Sequence, residues 1–174
     1  MSLIIEAAQF AAFAHGNQNR KYGHSDRPYI THPARVAAKV CLVAGATEEM
    51  VAAAWLHDVI EDCGVTPLAL SDFPHLTVML VKDLTNPSKQ HPELSRVERK
   101  KMDREHIANC CWQTKVIKLC DRIDNVTESL DDPETPVDFI QTYLIESQLL
   151  LEALRCTCEP LERELAQLLE KANA

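Results

Sequence analysis

Three observations predict an all-α fold. Glycine is scarce, with only Gly16, Gly23, Gly45 and Gly64, and none of them interrupts a periodic apolar segment. The nine prolines all fall between such segments or at their starts. No stretch alternates like a convincing strand, so long runs with few turns read as helices.

Taken in order, the first helix covers about Leu3 to His15 and stops at Gly16. A polar loop follows, 17–31. Pro33 opens the second helix, where its missing N–H would be unpaired anyway, and Gly45 closes it. Thr47 caps a third helix whose first turn carries Glu48 and Glu49, favourable at the positive end of the helix dipole. That helix is expected to run unbroken to about Asp62 and stop at Gly64. Short helices are expected at 67–71 and 74–84, a loop at 85–92, a charged helix at 93–109 and another at 113–130. After the acidic linker 131–136 a leucine-rich helix or helix pair, bent at Pro160, runs to the end. The 174 residues, 46% of them hydrophobic, read as a single domain. Its motif-bearing core spans about 1–130 and its C-terminal packing segment about 137–174. The stripe Leu144, Leu151, Leu154, Leu161, Leu165, Leu168 is read as core, with an oligomer contact as its alternative use.

Composition excludes several classes. A net charge of −8 argues against a nucleic-acid partner but leaves room for a phosphorylated small molecule in a local basic pocket. No apolar run is long enough to span a membrane. The apolar start, 1–13, carries Glu6 and no basic cluster, unlike a secretory signal. The seven cysteines contain no Cys-x-x-Cys pair, so reduced thiols in a cytoplasmic protein are the simpler reading.

The chemistry concentrates in Trp55-Leu56-His57-Asp58-Val59-Ile60-Glu61-Asp62. An apolar run, 51–56, delivers four polar residues within six positions. On a continuous helix His57 would share a face with Glu61, and Asp58 with Asp62. Burying such groups is costly without a partner, and a divalent cation is one. The other reading leaves them in solvent at a helix C-terminus, where carboxylates are unfavourable. His32, just before Pro33, and Asp121, beside Arg122 in an otherwise apolar helix, are each ordinary alone.

Together, the order His32, His57-Asp58, Asp121 resembles the HD superfamily of metal-dependent phosphohydrolases, which are all-helical. The blocks Ala14-His15-Gly16-Asn17-Gln18-Asn19-Arg20-Lys21, Pro28-Tyr29-Ile30-Thr31-His32-Pro33, Leu56–Asp62, Asp83-Leu84-Thr85 and Lys118-Leu119-Cys120-Asp121-Arg122-Ile123-Asp124-Asn125 narrow the likeness. They resemble the hydrolase domain of RelA/SpoT alarmone enzymes, and in size the small alarmone hydrolases. The resemblance implies that His32, His57, Asp58 and Asp121 hold a divalent metal, with Mn²⁺ suiting two imidazoles and two carboxylates. It implies that Glu61 and Asp62 handle the attacking water and the leaving group, with support of the metal ligands as their alternative use. It implies a nucleotide substrate, guanosine 3′,5′-bis(diphosphate) or (p)ppGpp, bound by Arg20, Lys21 and Asn125, whose 3′-diphosphate is removed to give GDP or GTP and pyrophosphate. Arg99, Lys100 and Lys101 sit in a basic helix that is mostly a solvated face, with one or two of them left to meet phosphates. Two departures bear on substrate: a loop before Pro28 about one residue longer than usual, and Glu128 where a ribose-lining residue is expected. Another nucleotide (a deoxynucleotide monophosphate or NADPH), a non-catalytic nucleotide-binding module and a helical interaction domain are the competing readings.

Overall fold

The structure, a computed structural model, describes residues 2–21 and 27–172. Most of the loop whose length departs from the family therefore lies outside the described residues. The helices are α1 (Leu3–His15), α2 (Thr31–Cys41), α3 (Glu48–Leu56), α4 (Val59–Cys63), α5 (His75–Leu84), α6 (Arg96–Ala108), α7 (Trp112–Asp131), α8 (Val137–Ala153) and α9 (Glu159–Ala172). Short 3-10 turns cover Pro67–Leu70 and Pro87–Gln90. Among the described residues there is no strand, only an isolated bridge between Asn19 and Pro28. No helix among them is long and apolar enough to cross a membrane.

Helix α3 is the hub. Met50, Val51, Ala52, Ala53, Ala54 and Leu56 are all buried, the pattern of a helix covered on every side. α1, α2 and α5 pack around it, and α7 packs on α2 and α9. α7 spans about 30 Å, and on the face it turns toward α2 Asp121, Asp124 and Glu128 are buried. The C-terminal leucines close the far side. Leu144, Leu151, Leu154, Leu161 and Leu165 are buried, as core residues should be.

Several expectations need correction. The helix expected through Asp62 ends at Leu56, and a separate turn of helix starts at Val59. Asp58 takes φ −104°, ψ −4°, off the helical geometry. No Gly or Pro marks the break; the turn of His57 back onto the Ala54 carbonyl and the bond from Tyr29 to Asp58, described below, outweigh local helix propensity. The second helix begins at Thr31, two residues before Pro33, still inside the first turn, whose N–H groups have no helical acceptor. α6 starts at Arg96, not at 93, because Ser95 and Glu98 form a capping box: Glu98 N–H donates to Ser95 Oγ at 3.3 Å, and Ser95 N–H to Glu98 Oε2 at 2.9 Å. The C-terminal segment is a helix pair whose break lies at 154–158, with Pro160 in the first turn of α9.

At that break the amides of Cys156, Thr157 and Cys158 all donate to Glu162, at 3.2, 2.8 and 2.7 Å. The turn forces Cys156 to φ 65°, the only positive φ at a non-glycine among the described residues. Cys156 is exposed, so its side chain adds no packing. Cys156→Gly should therefore raise stability by about 1 kcal/mol, the steric cost of the left-handed conformation less glycine's entropy. Thermal denaturation under reducing conditions measures it; an unchanged or lower midpoint contradicts the strain.

Candidate metal centre

Three places in the chain converge on one point. The start of α2 supplies His32, the end of α3 supplies His57 and Asp58, and the middle of α7 supplies Asp121. His32 Nε2 lies 3.2 Å from His57 Nε2. Asp58 Oδ2 is 2.9 Å from His57 Nε2 and 3.7 Å from His32 Nε2. Asp121 Oδ1 is 3.3 Å from His32 Nε2 and 3.8 Å from His57 Nε2. His32, His57 and Asp58 form the compact triad, and Asp121 joins it through both imidazoles.

The outer nitrogens decide what the inner ones offer. His57 Nδ1 bonds the Ala54 carbonyl at 2.8 Å, a carbonyl that a continuing helix would have used. His32 Nδ1 bonds Asp124 Oδ2 at 2.6 Å. Both acceptors require N–H on Nδ1, which turns each Nε2 inward, bearing a lone pair wherever the ring is neutral. Two neutral rings facing at 3.2 Å beside two carboxylates call for a positive charge between them, a proton on one Nε2 or a metal cation in its place. A divalent ion with bonds of about 2.1 Å places adjacent ligands about 3.0–3.4 Å apart, the scale of these separations. The residues fit a divalent metal.

Electrostatics agree. Burial alone would strip charge from His57, but Asp58 and Asp121 outweigh it and push its pKa up to about 9. Burial would likewise raise the two carboxyls. His57 instead holds Asp58 below the usual range, and Lys118, whose Nζ is 2.8 Å from Asp121 Oδ2, holds Asp121 well below it. The site attracts positive charge.

Tyr29, Asp124 and Asn86 are site residues that sequence reasoning passed over. Tyr29 donates its hydroxyl to Asp58 Oδ2 at 2.5 Å. Burial, then Asp58, pushes its pKa far up, so it remains a donor. Asn86 binds Glu61 twice, from its backbone N–H at 3.0 Å and its side-chain amide at 3.3 Å, and Lys89 Nζ adds an ion pair at 3.2 Å. Tyr29 and Asp124 stand inside the family-like blocks, and Asp124 lies three residues after Asp121, on the same helical face. Asn86 gave no signal in the sequence.

Glu61 and Asp62, expected as a pair, diverge. Glu61 turns to Asn86, whereas Asp62 lines an open cavity of about 210 Å³ with Arg20, Lys21, Asn125, Phe139 and Tyr143. Phe139 and Tyr143 stack at 5.4 Å, 13° apart. Lys21 is exposed at the cavity. Arg20 is buried over the Tyr29 ring, its Cζ 5.2 Å from the centroid. Asn125 accepts from Arg20 at 2.6 Å and donates to Asp121 at 2.5 Å. On the other side of Arg122 and Tyr143 lies a second hollow lined by Asn86, Lys100, Arg104, Lys118 and Arg122. Of the three basic residues singled out on α6, Lys100 points there. Lys101 is exposed beside Glu105, and Arg99 does not line the hollow.

An all-helical domain with two imidazoles and two carboxylates gathered at helix junctions defines a His/Asp metal domain. Sequence comparison matches the HD domain family over residues 7–142. The chain is 34% identical over 131 residues to the guanosine-3′,5′-bis(diphosphate) 3′-pyrophosphohydrolase MESH1 of Xenopus tropicalis, covering 73% of this chain and 69% of that one. It is 31% identical over 170 residues to the Drosophila melanogaster protein of the same name, covering 95% and 92%. A solved structure described as a metazoan ortholog of SpoT that hydrolyses ppGpp superposes with a TM-score of 0.87 at 27% identity, over 99% of this chain and 96% of that one. The chain belongs to the HD domain family, whose phosphohydrolases depend on a divalent metal.

Elemental analysis of protein purified without chelator should find about one divalent metal per chain, and His57→Ala should carry almost none. Equal, low metal in both would contradict the centre. Below its raised pKa the metal-free His57 carries a proton that the metal must displace. Apparent Mn²⁺ affinity should thus rise roughly tenfold per pH unit up to about pH 9. Calorimetric titration at several pH values measures it; a flat profile contradicts a proton held on His57.

Proposed function

We propose that this chain is a metal-dependent pyrophosphohydrolase that removes the 3′-diphosphate of guanosine 3′,5′-bis(diphosphate), ppGpp, giving GDP and pyrophosphate. The observation that carries this reading is the union of a two-His, two-Asp centre with a cavity lined by Arg20, Lys21 and a stacked aromatic pair. The near full-length likeness to the Drosophila relative of that name supports the substrate. Mn²⁺ is the cation of this reading, because it accepts mixed imidazole and carboxylate ligands. The bound cation supplies an activated water and a polarised phosphoryl oxygen. Seven free thiols suit a cytoplasmic setting.

The reaction breaks the bond between the ribose 3′-oxygen and phosphorus. Water oxygen adds to that phosphorus, and the 3′-oxygen must gain a proton. Asp62, facing the cavity, is the group that takes the proton from water and returns one to the 3′-oxygen. Glu61 is held by Asn86 and keeps the turn after Asp58 in place, with Lys89 beside both carboxylates. Phe139 and Tyr143 offer a flat face to the purine, and Arg20 and Lys21 counter the negative charge of the nucleotide. Lys100 suits the phosphates on the other side. Burial first, then Arg122 and Lys118, lowers its pKa, the sign of a cation among cations that an anion would relieve.

With ppGpp and Mn²⁺ the purified protein should release GDP and pyrophosphate in equal amounts, resolved by ion-exchange chromatography. Turnover of a deoxynucleotide monophosphate or NADPH in its place would replace the substrate reading; no turnover of any would leave a binding module. Asp62→Asn should keep its metal and lose at least about 100-fold in kcat, the scale of general acid–base groups. Parallel loss of metal would assign Asp62 to holding the centre instead.

A further inference from the structure

The site is tied into a closed circuit of polar contacts that passes through two residues, Arg35 and Glu128, to which the chemistry gives no task. From His32 Nδ1 it passes to Asp124 Oδ2 at 2.6 Å. Arg35 clasps Asp124 with Nε at 2.6 Å to Oδ1 and Nη2 at 3.0 Å to Oδ2. The same Nη2 lies 2.5 Å from Glu128 Oε1. Glu128 Oε2 lies 2.8 Å from Arg20 Nη2. Arg20 donates to Asn125, Asn125 to Asp121, and Asp121 Oδ1 returns to His32 Nε2 at 3.3 Å.

The sequence sets this circuit by helical spacing. On α7, Asp121, Asp124, Asn125 and Glu128 share one face, at steps of three and four. On α2, His32 and Arg35 stand one turn apart and meet that face. Charges alternate around the outer half: Asp124, Arg35, Glu128, Arg20. The Glu128 carboxylate is buried, at 5% exposure, and leaving it there alone would cost several kcal/mol. Its contacts to Arg35 and Arg20 are short but not aligned as hydrogen bonds, its two oxygens lacking an aligned donor. Charge at close range therefore holds it. A second metal at His32, Asp124 and Glu128 is disfavoured, because Arg35 and Arg20 already supply the positive charge there.

We propose that Glu128 is a positioning residue that couples the grip on the metal to the grip on the nucleotide. Through Arg35 and Asp124 it fixes the His32 imidazole. Through Arg20 it fixes the guanidinium at the cavity. The proposal rests on the hydrolase reading above for the identity of the nucleotide.

Three variants sort the two branches: Arg35→Lys, Arg20→Ala and Glu128→Gln. Two constants are measured on each, with melting curves as the check on folding. One is the Kd for Mn²⁺, from calorimetric titration of the metal-free protein. The other is KM for ppGpp with Mn²⁺ held far above each Kd. Arg35→Lys keeps a charge beside Glu128 but loses the fork on Asp124. It should weaken Mn²⁺ binding about tenfold, the scale for groups that orient metal ligands, with KM unchanged within about twofold. Arg20→Ala should raise KM about tenfold with Mn²⁺ affinity held within about twofold, because a nucleotide contact made equally in the ground and transition states appears in KM. Glu128→Gln should move both constants.

A folded Glu128→Gln that moves neither constant, or only one, overturns the coupling. So does an Arg35→Lys that binds Mn²⁺ as wild type does, whether or not Glu128→Gln folds. Wild type that takes up no Mn²⁺ removes the metal reading and the proposal with it. Wild type that binds Mn²⁺ but does not turn over ppGpp removes the substrate alone. The second constant is then the Kd for GDP, measured by calorimetry on the same variants, with the same sorting expected.

Discussion

Two imidazole Nε2 atoms, 3.2 Å apart with both Nδ1 atoms already bonded, impose the constraint around which this fold is arranged. Such an encounter is stable only with a proton or a metal cation between the rings. It persists because the outer nitrogen of each ring is spoken for, by the Ala54 carbonyl and by Asp124, and because Asp58 and Asp121 flank the pair. Each of these demands something of a helix. α3 must stop at Leu56 so that His57 can fold back on Ala54. α2 must begin near Thr31 to aim His32 inward. α7 must carry a buried acidic face through an otherwise apolar helix. Lys118, Arg35 and Arg20 then stand where they do because buried carboxylates without counter-charge are expensive.

The distribution of charge follows from the same constraint. The chain as a whole is acidic, with net charge −8, yet the walls around the centre are lined by Arg20 and Lys21 on one side and Lys100, Arg104, Lys118 and Arg122 on the other. An acidic exterior disfavours polyanions such as nucleic acid, while a local basic lining admits a single phosphorylated molecule. The aromatic pair Phe139–Tyr143 stands between α6 and the Arg20 cavity, with Arg96 over one ring and Arg122 over the other at 6.0 and 4.4 Å. A ring pair covered by guanidinium groups thus forms an aromatic, positively charged partition beside the centre.

Much of this was legible in the sequence, and the limits have physical reasons. The helical class followed from where glycine and proline fall, and Thr47 caps α3 as expected, accepting from Met50 N–H at 3.4 Å. The residues at positions 32, 57, 58 and 121 were readable as one site because their order carries a family likeness, and the structure brings all four together. The break after Leu56 was not readable, since Val51–Asp62 contains no residue that ends a helix; the signal lies in bonds to Tyr29 and Ala54, distant in sequence or masked by periodicity. Glu61 and Asp62 looked equivalent because a continuous helix would align them with the ligands. Once the helix breaks they face different neighbours. Glu128 looked like a misfit by comparison with a family pattern, and only the folded chain brings Arg35 of α2, Arg20 and Arg27 to its carboxylate. Tyr143 and Phe139 were hidden in a C-terminal segment whose leucines announced only packing, as core or as an oligomer contact.

The central claim is that the His32–His57 encounter is a cation site. Anomalous diffraction from crystals grown with Mn²⁺ tests it most directly. A single strong peak about 2.1–2.3 Å from both Nε2 atoms, with Asp58 and Asp121 oxygens completing its protein ligands, is the expected result. No peak between the two imidazoles at full Mn²⁺ occupancy elsewhere, or a peak seated instead on Asp124 and Glu128, would contradict it.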